Sequence, residues 1–309
     1  VSILIICNNK DPQPWAKTLG EQLPETDIHI YPETGDPTAV DFAVCWKPQP
    51  GVLDQFPQVK VVQSLGAGVE HITRTQQNRP GVQLVRIVDP NLATDMWEFV
   101  LAAVMQQLKE LPFYAEQQRA GQWTPGTYRR IKDTTVAVLG LGQIGALVAE
   151  SLAQLGFTVK GWARSAKKFP GVSCFSGWDT LSDCLQGADF LVNILPLTRA
   201  TEGILNEKNL RYLKPGAFLI NVGRGGHQNE TDVLQLLDEG FLSGAFLDVF
   251  QTEPLPAGHP FWTHPKVIVT PHIASITDVQ SASRQIVENY RRFRAGEPLL
   301  HGVSWEHEY

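Results

Sequence analysis

The run Val136-Ala-Val-Leu-Gly140-Leu-Gly142-Gln-Ile-Gly145 narrows the possible folds more than any other stretch. A short apolar strand pattern passes directly into glycines at GxGxxG spacing, and a helical pattern follows to about Leu155. Gly140 suits a tight turn, Gly142 lets a phosphate approach the backbone, and Gly145 lets helix and strand pack closely. The first helical amides, at Gln143 and Ile144, and the helix dipole then face an anion. The spacing alone is weak evidence. Between a strand and a helix it points to a dinucleotide site, with a ligand-free glycine turn as the plain alternative.

The rest of the chain repeats the same alternation. After the strand pattern Thr135–Leu139 come strands at Thr158–Trp162, Phe190–Ile194, Phe218–Val222, Ala245–Val249 and Val267–Thr270. Helical stretches at Ile144–Leu155, Leu181–Gln186, Asn206–Tyr212 and Glu230–Glu239 separate them, which is the pattern of a doubly wound parallel sheet. Upstream, Ser2–Cys7, Ile28–Tyr31, Ala43–Trp46, Val59–Ser64 and Gln83–Val88 read as buried parallel strands. A long helical pattern runs from about Leu92 to Arg119, with a break expected at Pro112. Gly121–Gly126 reads as a loop, and a last helix is expected over Asp278–Arg294. A chain of 309 residues suits two α/β domains. The last helix is expected to return to the first, giving a discontinuous substrate domain of 1–95 plus 277–309 around a nucleotide domain of 96–276.

The strand after the fingerprint discriminates between nucleotides. An NAD site presents Asp or Glu there to the ribose 2′-hydroxyl. Here Trp162-Ala-Arg164-Ser165-Ala-Lys167-Lys168 holds no acid. A guanidinium at Arg164, a hydroxyl at Ser165 and an ammonium at Lys168 suit a 2′-phosphate. The expected cofactor is NADP(H), preferred over NAD(H). A solvated basic turn is the bland alternative.

Three further residues fall near strand ends: Arg224 in Asn221-Val-Gly223-Arg-Gly225, Glu253 after Asp248-Val-Phe, and His272 after Thr270-Pro271. In an open α/β sheet, ligands bind beyond the carboxyl ends of the strands. A carboxylate beside His272 favours its cationic form near neutrality. That cation can protonate a carbonyl oxygen as hydride arrives, and Arg224 can hold a substrate carboxylate. The set suits reduction of a 2-oxo acid. Taken alone, His272 would read as a structural histidine, and Asp248 suits the sheet edge better than proton transfer. The turn Leu65-Gly66-Ala67-Gly68 follows a strand and can form an anion-binding nest. Trp46 ends another strand, and Trp123 lies in a polar loop. Both suit the wall of a substrate pocket, Trp123 that of a partner subunit, or else core or interface packing.

Composition excludes other classes. A net charge of −6 argues against a nucleic-acid partner. Cys7, Cys45, Cys174 and Cys184 lack metal-ligand or CxxC spacing and read as reduced thiols, so no metal is expected. Ser2–Cys7 reads as a first strand rather than a signal peptide, and no run has membrane-spanning length. The expected location is the cytoplasm.

Together these residues resemble the D-isomer-specific 2-hydroxyacid dehydrogenases over nearly the whole chain. The resemblance rests on Gly66–Gly68, Gly140–Gly145, Leu195-Pro196-Leu-Thr198, Asn221–Gly225 and the run from Asp248 through Ala274. Within the family, Trp46-Lys-Pro48, Leu65–Val69 and Trp162–Ser165 look most like the A-type glyoxylate/hydroxypyruvate reductases of enteric bacteria. The resemblance implies two Rossmann-like domains with a cleft between them, a homodimer, and NADPH-dependent reduction of glyoxylate or hydroxypyruvate. It assigns Arg224, Glu253 and His272 to catalysis and extends the nucleotide contacts to Met96, Leu195, Pro196, Gly223, Asp248, His272 and Ala274. Family members carry small or aliphatic residues where Thr94-Asp-Met96-Trp97 is bulkier and more acidic. Two alternatives share the fold: an NAD-dependent dehydrogenase of another 2-oxo acid, disfavoured by the missing acid after Trp162, and a nucleotide-sensing binding protein. The latter retains Arg224, Glu253 and His272, so turnover rather than sequence separates it.

Overall fold

The computed structural model describes residues 2–306. In chain order, β1 (Ser2–Cys7), α1 (Gln13–Gln22), β2 (Asp27–Ile30), β3 (Val40–Trp46), β4 (Val61–Ser64), α2 (Glu70–Thr73) and β5 (Gln83–Val85) come first. The helices α3 (Pro90–Leu108) and α4 (Leu111–Arg119) follow. Next are β6 (Thr135–Leu139), α5 (Gln143–Gln154), β7 (Thr158–Ala163), β8 (Val172–Ser176), α6 (Leu181–Leu185) and β9 (Phe190–Asn193). Then come α7 (Glu207–Leu210), β10 (Ala217–Asn221), α8 (Glu230–Asp238), β11 (Leu242–Leu247) and β12 (Val267–Val269). The helix α9 (Val279–Ala295) and strand β13 (Gly302–Val303) close the described chain. Two units form, one from residues up to Pro90 and from Thr277 onward, the other from Asn91–Ile276. The change at Pro90 falls in the first turn of α3, ahead of the 95/96 boundary expected from the sequence.

In the first unit the strands lie in the order β13-β5-β4-β3-β1-β2. All pairs are parallel except the edge pair β13–β5. Without β13 this is the 2-1-3-4-5 doubly wound order, which reverses between β1 and β3. Both faces of the central strands are covered, so Ile3–Ile6 and Phe42–Cys45 are buried without alternation. The helix α9 buries Ala282, Ile286, Val287 and Tyr290 at helical spacing. Its Asp278 cap accepts from the Ser281 amide at 2.8 Å. Tyr290 meets Phe42 edge-on at 5.5 Å. Buried Asn289 donates to Gln63 Oε1 at 2.9 Å and accepts from the Leu300 amide at 2.8 Å, fixing the chain after α9 to β4.

The second unit has the order β12-β11-β10-β9-β6-β7-β8, with all pairs parallel. Counted from β6, this is the 3-2-1-4-5-6 order of dinucleotide-binding folds with one more strand at the edge. Alternate residues of each strand feed opposite faces. Ala137, Leu139, Leu191, Leu219 and Leu247 pack with Leu185, Val233 and Leu236 on one face. Val136, Val138, Val192, Ile220 and Phe246 pack with Val100, Val104, Val148 and Leu152 on the other. Strand β8 was not legible in the sequence. It is a partly exposed edge strand with two serines among five residues, and edge strands need no continuous apolar run. The long helical pattern becomes two helices. Glu110 turns left-handed at φ 55°, because the ring of Pro112 would clash with the carbonyl of Leu108 in a continuous helix.

Candidate active site

Three neighbouring strands, β10, β11 and β12, end beneath Arg224, Glu253 and His272. His272 adopts a left-handed backbone, φ 56°, which costs an ordinary residue about 1–2 kcal/mol. Its surroundings hold that conformation. Its amide donates to Asp248 O at 2.8 Å and Thr270 O at 3.1 Å. The Asp248 carboxylate accepts from Thr270 Oγ1 at 2.6 Å, Ile273 N at 2.8 Å and Ala274 N at 2.9 Å. Asp248 is 1% exposed, so its carboxylate supports the histidine loop from behind. His272 Nδ1 lies 2.9 Å from Glu253 Oε2. Both side chains are partly exposed. With Nδ1 directed at the carboxylate, Nε2 is the nitrogen left to meet a ligand.

Arg224 stands in extended conformation just before a short 3-10 turn, Gly225–His227. A Cβ on Gly225 would lie 1.9 Å from the Phe250 carbonyl carbon. Only glycine lets this turn press against the end of the β11 segment. Arg224 Nη1 donates to Gly223 O at 2.8 Å. Beneath the turn lies a polar network that sequence reasoning missed. Asn193, Asn221, His227 and Gln228 are each 0% exposed. Asn193 Nδ2 donates to Asn221 Oδ1 at 2.8 Å. Asn221 Nδ2 donates to Gln228 Oε1 at 2.9 Å and to Arg224 O at 3.2 Å. One signal was available. The apolar runs Phe190–Asn193 and Phe218–Asn221 both end in asparagine, and the two asparagines share a register. Buried polar groups need partners, so two at one level imply a network.

The glycine fingerprint has the geometry of an anion site. Gly140 has φ 104°. A Cβ on Gly145 would lie 1.7 Å from Gly140 O, so any side chain there would break the turn. A Cβ on Gly142 would meet nothing within 4 Å, leaving open space at the N-terminus of α5. That terminus has no side-chain cap and no acid in its first turn. Gly142 and Gln143 are exposed and Ile144 is half-buried. Beyond β7, Arg164, Ser165, Lys167 and Lys168 are all exposed. This donor set fits a dinucleotide with a 2′-phosphate: a cradle for the pyrophosphate, then cations where an acid would repel. Beyond β9, Pro196 is exposed, Leu195 is buried, and Pro196 O is held by Thr201 Oγ1 at 2.8 Å. Gly223 is buried beside Asn193, and Ala274 is buried. From β12 to β7 the edge spans five strand spacings of about 4.8 Å, roughly 24 Å. Only an extended ligand reaches from His272 to Arg164. Met96, which the resemblance places beside the nicotinamide, lies on the buried face of α3. It is 7% exposed and packs with Val100, Ala103 and Val104 on the inner face of α3.

In the first unit, half-buried Trp46 ends β3 and Leu65–Gly68 follows β4. A Cβ on Gly66 would come 2.8 Å from the Trp46 ring. The Lys10 ammonium sits 3.8 Å from the same ring's centroid. The Leu65 amide donates to Cys45 O at 3.0 Å and the Gly66 amide to Ser64 Oγ at 3.2 Å. The nest is therefore narrower than expected, and an anion would be met from Ala67 onward. Trp123 is 97% exposed, so it walls no pocket within its own chain. Among the described residues no group of three or more His, Cys, Asp or Glu could hold a metal ion, and no helix is long and apolar enough to cross a membrane.

Residues 101–274 match the family described as D-isomer specific 2-hydroxyacid dehydrogenase, NAD binding domain. A glyoxylate/hydroxypyruvate reductase A of Serratia proteamaculans is 39% identical over 92% of each chain. One of Photorhabdus laumondii is 40% identical over 93% of each. Among solved structures, a D-isomer specific 2-hydroxyacid dehydrogenase of Xanthobacter autotrophicus in complex with NADPH superposes with a TM-score of 0.93 at 39% identity. It covers 100% of this chain and 99% of its own. An NADPH-dependent glyoxylate/hydroxypyruvate reductase of Sinorhizobium meliloti, with NADP and sulfate, gives 0.92 at 35% identity with complete coverage of both chains.

Proposed function

The chain belongs to the D-isomer specific 2-hydroxyacid dehydrogenases, and from that premise we propose that it reduces glyoxylate and hydroxypyruvate with NADPH. The observation that carries the proposal is the 2.9 Å contact of His272 Nδ1 with Glu253, on the same sheet edge as Arg224 and the Gly140–Gly145 cradle. The names of the relatives in Serratia and Sinorhizobium support the substrate and the nucleotide.

In the proposed reaction the Arg224 guanidinium binds the substrate carboxylate and polarises the adjacent carbonyl. Gly142 and the first turn of α5 take the pyrophosphate, and Arg164, Ser165 and Lys168 take the 2′-phosphate. When bound, the reduced nicotinamide supplies the hydride to the keto carbon. His272 Nε2 gives its proton to the carbonyl oxygen, which completes the 2-hydroxy acid. Glu253 stabilises the imidazolium before that transfer and fixes the ring through Nδ1. Exposed Leu111, Trp123 and Tyr128 support assembly as a homodimer. Four free cysteines support a cytoplasmic location. Incubation with NADPH and glyoxylate should consume both and yield glycolate in equal amount. Nucleotide binding without product would leave a sensor of the same fold.

Two substitutions test individual roles. Glu253→Gln keeps a hydrogen-bond acceptor at Nδ1 but removes its charge, so kcat should fall about tenfold or more with NADPH affinity held, since a hydrogen bond to a charged group is worth about 1.5–3 kcal/mol. An unchanged kcat would make Glu253 structural only. Arg164→Asp should lower the NADPH/NADH preference in kcat/KM by at least about tenfold. A hydrogen bond to a charged group is worth about 1.5–3 kcal/mol, and about 1.4 kcal/mol is tenfold in affinity. Lys167 and Lys168 retain part of the attraction, so full reversal is not required. A variant with its parent's ratio would refute the assignment.

A further inference from the structure

We propose that neutral His227 is a positioning residue that locks the Arg224 turn to the Leu195–Pro196 segment. The inference rests on the roles proposed above for those two elements. His227 is fully buried and is the last residue of the 3-10 turn that follows Arg224. Two N–H donors converge on its Nδ1: the Arg224 amide at 3.1 Å and Asn193 Nδ2 at 3.0 Å. An atom that receives two donors carries no proton of its own. The ring hydrogen is therefore on Nε2, which donates to Pro196 O at 3.2 Å. Nδ1 thus fixes the backbone that carries the guanidinium, while Nε2 fixes the loop beyond β9.

The site has no slack. A Cβ on Gly223 would come 2.8 Å from Asn193 Nδ2 and 3.2 Å from His227 Nδ1. The His227 amide closes the turn onto Arg224 O at 3.2 Å, and its carbonyl accepts from the Leu205 amide at 2.8 Å. An apolar side chain here would strand two buried donors and weaken the hold on Pro196. The ring thereby makes the geometry of the carboxylate clamp depend on that of the nucleotide loop.

The two contacts separate by side-chain length. In His227→Asn an amide oxygen can stand near the Nδ1 position but cannot reach Pro196. In His227→Gln the amide can reach Pro196, and the acceptor beside Arg224 is lost. The readouts are kcat/KM for glyoxylate and the Kd for NADPH by nicotinamide fluorescence, on variants shown to be folded by thermal melting. His227→Gln should lower kcat/KM about tenfold with NADPH affinity held, since one lost neutral hydrogen bond is worth up to about that factor. His227→Asn should do the reverse, weakening NADPH by about three- to tenfold with kcat/KM, at saturating NADPH, held within about threefold. His227→Leu should show both defects. Equal behaviour of the Asn and Gln variants, wild-type constants in His227→Leu, or failure of all three to fold would overturn the positioning role. If only His227→Leu fails to fold, the other two decide. A wild type that turns over no 2-oxo acid would remove the proposed function together with this role. Normal wild-type turnover beside unaltered variants would remove this role alone.

Discussion

Replacing His272 with alanine is expected to lower kcat for 2-oxo acid reduction by about 10²–10⁴-fold, the usual contribution of a positioned general acid. The histidine ring is held through Nδ1 by Glu253, so in the proposed mechanism Nε2 carries the proton, and alanine removes it. NADPH affinity should stay near that of the parent, because the phosphate cradle lies at β6 and α5. The backbone at residue 272 is left-handed, and asparagine tolerates that conformation better than alanine. His272→Asn therefore serves as the check that lost activity is not lost structure. Near-wild-type turnover in either folded variant would take His272 out of the mechanism.

Arg224→Lys should raise KM for 2-oxo acids by about 10–100-fold, the equivalent of one charge-assisted hydrogen bond of about 1.5–3 kcal/mol. An ammonium cannot reproduce the two parallel donors of a guanidinium. The backbone of the turn is fixed independently by His227, Asn221 and the close approach of Gly225 to Phe250. A change confined to the side chain should therefore leave melting temperature and NADPH binding nearly unaltered. An unchanged KM would sink the carboxylate-clamp role.

The two sheets were legible because parallel strands covered on both faces are written as unbroken apolar runs. Ser2–Cys7 and Thr135–Leu139 needed no adjustment. The edge strand β8 escaped because its residues are only partly buried. Gly140 and Gly145 were legible from their spacing between a strand and a helix, since each answers a steric demand that no other residue meets. The Glu253–His272 contact depends on the left-handed turn that Asp248 stabilises, and the role of Asp248 is set by backbone amides that no side-chain pattern announces. His227 was invisible for a similar reason. It stands as a lone histidine in a glycine-rich stretch, and its partners are an amide three residues back and a segment thirty-odd positions away.

The most direct test of NADPH-dependent 2-oxo acid reduction is a set of initial rates with the wild-type protein. Glyoxylate, hydroxypyruvate, pyruvate and other small 2-oxo acids would each be offered with NADPH and with NADH. The expected result is the highest kcat/KM for glyoxylate or hydroxypyruvate and a clear preference for NADPH with either. A preference for NADH, or tight NADPH binding with no turnover of any 2-oxo acid, would contradict it.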